Sequence, residues 1–214
     1  MPDTVILHYT AMETAKAACE RLCDPCYEVS AHYLISEAGE VTQLVDEKYR
    51  AWHAGRAAWG NLTDLNSSSI GIELANNASE NHLPPFPEVQ MAVLENLLTN
   101  ILDRWSIRPE RVLGHSDIAP DRKVDPGPMF DWQQLSARGL TIWPGDAPPG
   151  NFLQDLATIG YRAQGIDDPC AELLAAFRLR YRPDANGPLD DTDRAMAAAI
   201  ARDYPCLDVS SAAP

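Results

Sequence analysis

Lysine is scarce in this chain. Only Lys16, Lys48 and Lys123 occur, and no segment concentrates positive charge. With 31 acidic residues against 17 basic ones, the formal net charge is −14. Holding a phosphate backbone takes clustered Lys and Arg, so the balance argues against a nucleic-acid partner. No run approaches the roughly 20 consecutive apolar residues of a membrane span, so no membrane partner is expected. Met1-Pro2-Asp3-Thr4 leads straight into an apolar strand, without the basic start and apolar stretch of a secretory signal. The expectation is a cytoplasmic protein, with a periplasmic or secreted one as the alternative if a signal has been removed. Repeats, low-complexity tracts, an H-E-x-x-H pair and a G-x-S-x-G elbow are also missing, which leaves a serine hydrolase without support.

Five cysteines are present: Cys19, Cys23, Cys26, Cys170 and Cys206. The number is odd, and Cys23-Asp24-Pro25-Cys26 has no second pair at a zinc-finger spacing. Structural or free thiols are the simpler reading, and these fit a reducing compartment.

Apolar periodicity lays out the elements. A strand is expected over 4–10, with Val5, Leu7 and Tyr9 on one face and Ile6, His8 and Thr10 on the other. A helix over 13–23 follows, then two strand-like runs, 32–36 and 41–45, around a Gly39 turn. Residues 69–75 form another apolar strand, interrupted by Glu73. Met91, Leu94, Leu98, Ile101 and Trp105 mark a long helix over 88–106. Val112-Leu113 makes a last short strand, and a short helix runs from Phe130 to Arg138. Alternating strands and helices predict an α/β fold, a central mixed sheet flanked by helices. The linker-like Pro144–Gly150 stretch divides a domain over 1–145 from a small module over 150–214, read as three helices.

Candidate chemistry gathers in two places. Gly114-His115-Ser116-Asp117-Ile118-Ala119-Pro120 leads to Lys123-Val124-Asp125-Pro126-Gly127-Pro128, read as an irregular loop. The first strand carries His8. Two histidines and an aspartate are a workable three-donor set for catalytic zinc, although each has an ordinary reading: His8 as a core histidine, Asp125 as a turn residue. Glu73, inside an apolar strand, must be paired or have a raised pKa. It is either a salt-bridge partner or a general acid/base. Lys123 is either a solvated loop lysine or a cation aimed at a developing oxyanion.

The motifs Leu7-His8-Tyr9-Thr10, Ser30-Ala31-His32-Tyr33, Trp52-His53-Ala54-Gly55, Ile70-Gly71-Ile72-Glu73, Gly114–Pro120 and Lys123–Pro128 come in a particular order. Together they resemble the zinc-dependent N-acetylmuramoyl-L-alanine amidases of the type-2 amidase family, in its AmpD/AmiD branch. The family also includes phage T7-type lysozyme and the peptidoglycan recognition proteins. The resemblance covers residues 4 to about 143. More loosely, the tail resembles a small helical peptidoglycan-binding module.

The resemblance implies an amidase/peptidoglycan recognition protein-like fold and one Zn2+ per chain, held by His8, His115 and Asp125. It implies catalytic roles for Glu73 and Lys123, with Trp52, His53, His32 and Asn76 as substrate-binding candidates. The implied reaction cleaves the amide between (1,6-anhydro-)N-acetylmuramic acid and L-alanine. The implied partner is a muropeptide, in peptidoglycan recycling. Alternatives are an exported wall amidase or endolysin acting on polymeric peptidoglycan, and a non-catalytic recognition module. Two imidazoles and a carboxylate also accommodate other divalent metals.

Overall fold

A computed structural model describes residues 1–79, 82–163, 165 and 167–206. Its centre is a five-stranded mixed sheet of order β3-β2-β4-β1-β5. The strands are β1 (Thr4–Tyr9), β2 (Tyr33–Ile35), β3 (Val41–Gln43), β4 (Ser69–Leu74) and β5 (Val112–Gly114). β1 lies parallel between β4 and β5, β2 is parallel to β4, and β2 and β3 form the expected antiparallel hairpin. The register places His8 beside Glu73 and Leu7 beside Gly114. Both candidate clusters are thereby brought to the carboxyl ends of parallel strands, where open α/β sheets bind ligands.

Eight α-helical segments occur among the described residues: α1 (Ala15–Cys23), α2 (Leu65–Ser68), α3 (Glu88–Trp105), α4 (His115–Ile118), α5 (Trp132–Ala137), α6 (Phe152–Ile159), α7 (Pro169–Tyr181) and α8 (Asp191–Asp203). Thr14 caps α1, its hydroxyl accepting from Ala17 N–H at 3.1 Å, a contact worth about 1 kcal/mol. The alternation read in the first strand sorts its residues between two cores. Val5 and Leu7 pack with α3 through Met91, Leu94, Leu98 and Ile101. Ile6, on the other face, packs with Leu113, Phe152, Leu156 and Phe177. Helices α6 and α7 thus lie over the sheet's second face, with α8 packed against α6. Gln90 of α3 is fully buried and donates to the Ile35 and Ala75 carbonyls at 3.0 Å each, tying the helix to the ends of β2 and β4.

No helix among the described residues is long and apolar enough to cross a membrane. All five cysteines are unpaired.

Candidate metal centre and active-site cleft

His8 sits near the end of β1, and His115 is the first residue of α4, directly after β5. The segment expected to be an irregular loop therefore opens with one helical turn. Asp117 makes that turn possible: its Oδ2 accepts from Gly114 N–H at 2.8 Å, supplying a partner for an otherwise orphaned helix-start donor. Asp125 returns to the same place because Ser116 N–H donates to the Asp125 carbonyl at 2.9 Å.

Three side-chain atoms converge. His8 Nδ1 lies 3.0 Å from His115 Nδ1 and 3.0 Å from Asp125 Oδ2, and His115 Nδ1 lies 3.1 Å from the same oxygen. All three residues are buried. The outer ring nitrogens decide what the inner ones offer. His115 Nε2 faces the Ala54 carbonyl at 3.1 Å, so its proton belongs there and Nδ1 presents a lone pair. His8 Nε2 faces His53 Nδ1 at 3.0 Å, and His53 Nε2 faces the Ser69 hydroxyl at 3.3 Å. With His53 protonated at Nε2, its Nδ1 accepts from His8, and His8 Nδ1 is bare as well. Two lone pairs and a carboxylate oxygen meeting at 3 Å form an acceptor-only cluster, which a cation satisfies. The donor set fits a divalent metal.

Electrostatics agree. Burial, and then the nearby His115, pushes His8 down to about 4, so its ring is neutral and free to ligate at pH 7. Burial also pushes Glu73 up to about 8; Asp125 adds to the rise and Lys123 opposes it. Glu73 Oε2 is buried and has no hydrogen-bond partner among the described residues. Of the two readings open in the sequence, the salt bridge has no partner among the described residues, and burial raises the carboxyl instead.

These residues line a cleft of about 400 Å³, together with Lys123, Tyr9 and the exposed Trp52 at its rim. His53 lines it too, but from below. Its ring packs on β4 so closely that a Cβ at Gly71 would lie 2.4 Å from His53 Cγ, which explains the glycine there. Its main-chain N–H and that of Ala54 both donate to Asn66 Oδ1, at 2.9 and 2.8 Å. Asn66, on α2, carries no sequence signal that separates it from its loop.

Two expected cleft residues lie elsewhere. Asn76 does not line the cleft: its amide nitrogen donates to the Pro84 carbonyl at 3.2 Å and its oxygen accepts from Ala78 N–H at 2.9 Å. The side chain is consumed by the turn after β4. His32 is fully buried beneath His53, accepting from Gly71 N–H at 2.9 Å and donating to the Tyr49 carbonyl at 3.0 Å. It props the His53 ring and does not reach the cleft.

A mixed sheet with two imidazoles, a carboxylate and a buried acid in one cleft places the chain among amidase-type hydrolases. Residues 1–128 match the family described as N-acetylmuramoyl-L-alanine amidase (Amidase_2). AmiD of Escherichia coli K12, an N-acetylmuramoyl-L-alanine amidase, is 36% identical over 231 aligned positions, which cover 94% of this chain and 82% of that protein. The 1,6-anhydro-N-acetylmuramyl-L-alanine amidase AmpD of Haemophilus influenzae is 40% identical over 50% of this chain and 56% of its own. Among solved structures, E. coli AmiD in complex with anhydro-N-acetylmuramic acid-L-Ala-D-gamma-Glu-L-Lys superposes with a TM-score of 0.87 at 35% identity, covering 95% of this chain and 90% of that one. AmpDh3 of Pseudomonas aeruginosa superposes at 0.88 with 33% identity, covering 96% and 93%. This chain belongs to the N-acetylmuramoyl-L-alanine amidase family.

Proposed function

We propose that this protein hydrolyses the amide between 1,6-anhydro-N-acetylmuramic acid and L-alanine, using one zinc ion held by His8, His115 and Asp125. The observation that carries the reading is the acceptor-only cluster beside an unpartnered Glu73. It is supported by a relative, matched along nearly its whole length, that was solved with an anhydro-muropeptide. When bound, zinc supplies a Lewis acid and brings the pKa of water down to about 7.

The protein's own groups do the rest. Trp52 at the rim offers an apolar wall to the sugar or peptide. Glu73 takes the proton of the attacking water as it adds to the lactyl carbonyl. It then returns that proton to the alanine nitrogen as the C–N bond breaks. Burial lifts this carboxyl above the ordinary range in the metal-free protein, and a cation held in the same cleft would draw it back toward neutral, where it can both take and return a proton. The Lys123 ammonium, which lines the same cleft, stabilises the negative charge that develops on the carbonyl oxygen. Replacing Lys123 by alanine is expected to lower kcat by about 100- to 1,000-fold, as losses of such donors do, in single-turnover assays at saturating zinc. The odd cysteine count supports a cytoplasmic setting, and the anhydro-muropeptide held by the matched relative supports a role in peptidoglycan recycling.

The test is mass spectrometry of products from a soluble 1,6-anhydro-muropeptide and from intact sacculi, each with and without chelator. Chelator-sensitive release of free stem peptide from the soluble substrate is the expected result. Equal release from sacculi would make it a wall hydrolase. No cleavage of either by zinc-loaded protein would overturn the reading in favour of a recognition module.

Glu73 also has a signature in stability. In metal-free protein its carboxyl titrates near 8, against an ordinary value of 4.5. Between those values the folded state binds the extra proton. The stabilisation is therefore complete below about 4.5 and is lost as pH rises through about 8. His8 is already neutral above pH 7, and the Cys19 thiol, raised by burial, contributes equally in parent and variant, so the difference between their slopes from 7 to 9 belongs to Glu73. The thermal midpoint of chelated protein should fall across that window, and fall less in Glu73→Gln. Equal slopes would show that Glu73 titrates normally.

A further inference from the structure

The segment that carries His115 is short at both ends. β5 has three residues at the edge of the sheet, and α4 is a single turn. Neither holds itself in place, because one helical turn is far below the length at which helices are stable alone. The restraint comes from the C-terminal helices. Arg180 of α7 is buried and donates from Nη1 to Asp117 Oδ2 at 2.7 Å. Its Nη2 donates to the Val112 carbonyl at 3.2 Å and to Thr141 Oγ1 at 2.7 Å. Its guanidinium lies 4.1 Å from the centre of the Trp132 ring. One side chain thus grips the start of β5 and the cap of α4, with His115 between them. Tyr161, just past α6, donates its hydroxyl to the other Asp117 oxygen at 2.5 Å.

Tyr161 is itself fixed. Its ring packs on Trp59 with centroids 4.9 Å apart, and Gly60 N–H donates to the Gly160 carbonyl at 2.8 Å. Gly160 admits this approach: a Cβ there would lie 2.6 Å from Trp59 Cε2, and its φ is +129°.

Resting on the zinc reading above, we infer that Arg180 and Tyr161 are positioning residues of the metal centre: through Asp117 they hold the turn that presents His115. On this inference residues 150–214 complete the catalytic unit, whatever else they bind. The effect is on metal affinity, because a three-donor site depends on where each donor is held. A direct hydrogen-bond partner of a metal-ligating histidine is worth about 10- to 100-fold in metal binding; Arg180 and Tyr161 act one step further out, through the Asp117 turn, so the lower end of that range applies.

The test is chelator-competition titration of zinc on the full chain, with the thermal midpoint of each sample measured alongside. Tyr161→Phe removes one hydroxyl and keeps the ring on Trp59; Arg180→Gln removes the ion pair. Arg178→Gln is the control. Arg178 is also buried on the same helix, but pairs with Asp193 at 2.6 Å inside the C-terminal helices and does not touch Asp117. The expected result is zinc affinity weakened about tenfold in Tyr161→Phe and Arg180→Gln, and within about twofold of the parent in Arg178→Gln despite a lowered midpoint. Should Arg180→Gln fail to fold, Tyr161→Phe decides alone. Parent-like zinc affinity in Tyr161→Phe, or affinity that follows the thermal midpoint across all three variants, overturns the inference while leaving the amidase reading intact. A parent chain that takes up no zinc removes both.

Discussion

Glu73→Gln is expected to leave a folded protein that loads one zinc and hydrolyses muropeptide about 100- to 10,000-fold more slowly. Three observations lead there. Glu73 is not among the three converging acceptors, so the metal count should not change. The register of β1 and β4 sets it beside His8, so its carboxyl lines the same cleft. Its Oε2 is buried with no partner among the described residues, so no structural pairing accounts for it. A buried polar atom without a partner costs about 1–3 kcal/mol, which a fold tolerates where the group does chemistry. Glutamine keeps the volume and cannot carry the proton. The thermal midpoint of chelated protein at pH 7 should therefore lie at or above the parent's, because glutamine escapes the titration that costs the parent stability, while turnover collapses. Metal analysis, calorimetry and product release on one preparation read all three. Near-parent turnover in the zinc-loaded variant would remove Glu73 from the reaction.

Much of this site was legible because strands report themselves through alternation. Val5 and Leu7 against Ile6 and His8 is a period of two, and the two sets went to opposite faces of the sheet. The long helix was equally plain, since its apolar residues repeat at three and four. Parallel neighbours could not be read: nothing local to His8 says that β4 and β5 flank it. The order of motifs came from resemblance, and the three-dimensional meeting came from the fold. Residues whose role lies in what they hold were the hardest. The resemblance made Asn76 a cleft candidate, yet its amide is used by the turn that follows β4. The first turn after β5 read as a loop because four residues carry no period. Its stabiliser, Arg180, lies 63 residues away from Asp117. A buried arginine is nearly invisible in sequence, where charge is taken for surface. In α7 both Arg178 and Arg180 are buried, along with Leu173, Leu174, Phe177 and Tyr181. The helix is enclosed on most sides because it lies against the sheet's second face.

The second large effect concerns the metal itself. His115→Ala is expected to reduce zinc from one per chain to near zero after dialysis against micromolar chelator, and to bring turnover to background. Two donors remain, His8 and Asp125, 3.0 Å apart. Catalytic zinc sites keep three protein donors and reserve the fourth position for water, so two are too few. The informative comparison is stability. A ligand that binds only the folded state stabilises it by mass action, about 4.1 kcal/mol at a thousandfold excess over Kd. For a chain of this size that raises the thermal midpoint by roughly 10 °C. Parent protein should show that rise on adding zinc, and His115→Ala should show none. Without metal the order need not follow. The parent apoprotein holds three acceptors within about 3 Å, and removing one relieves that crowding while opening a small cavity. The two effects oppose each other, so the apo midpoints should lie close together, and the gap between parent and variant should open only with zinc. A gap that is already full in chelated samples would mean that His115 is needed for the fold and not for the metal. A full zinc complement in the variant would move the third donor elsewhere, with Glu73 as the first residue to examine.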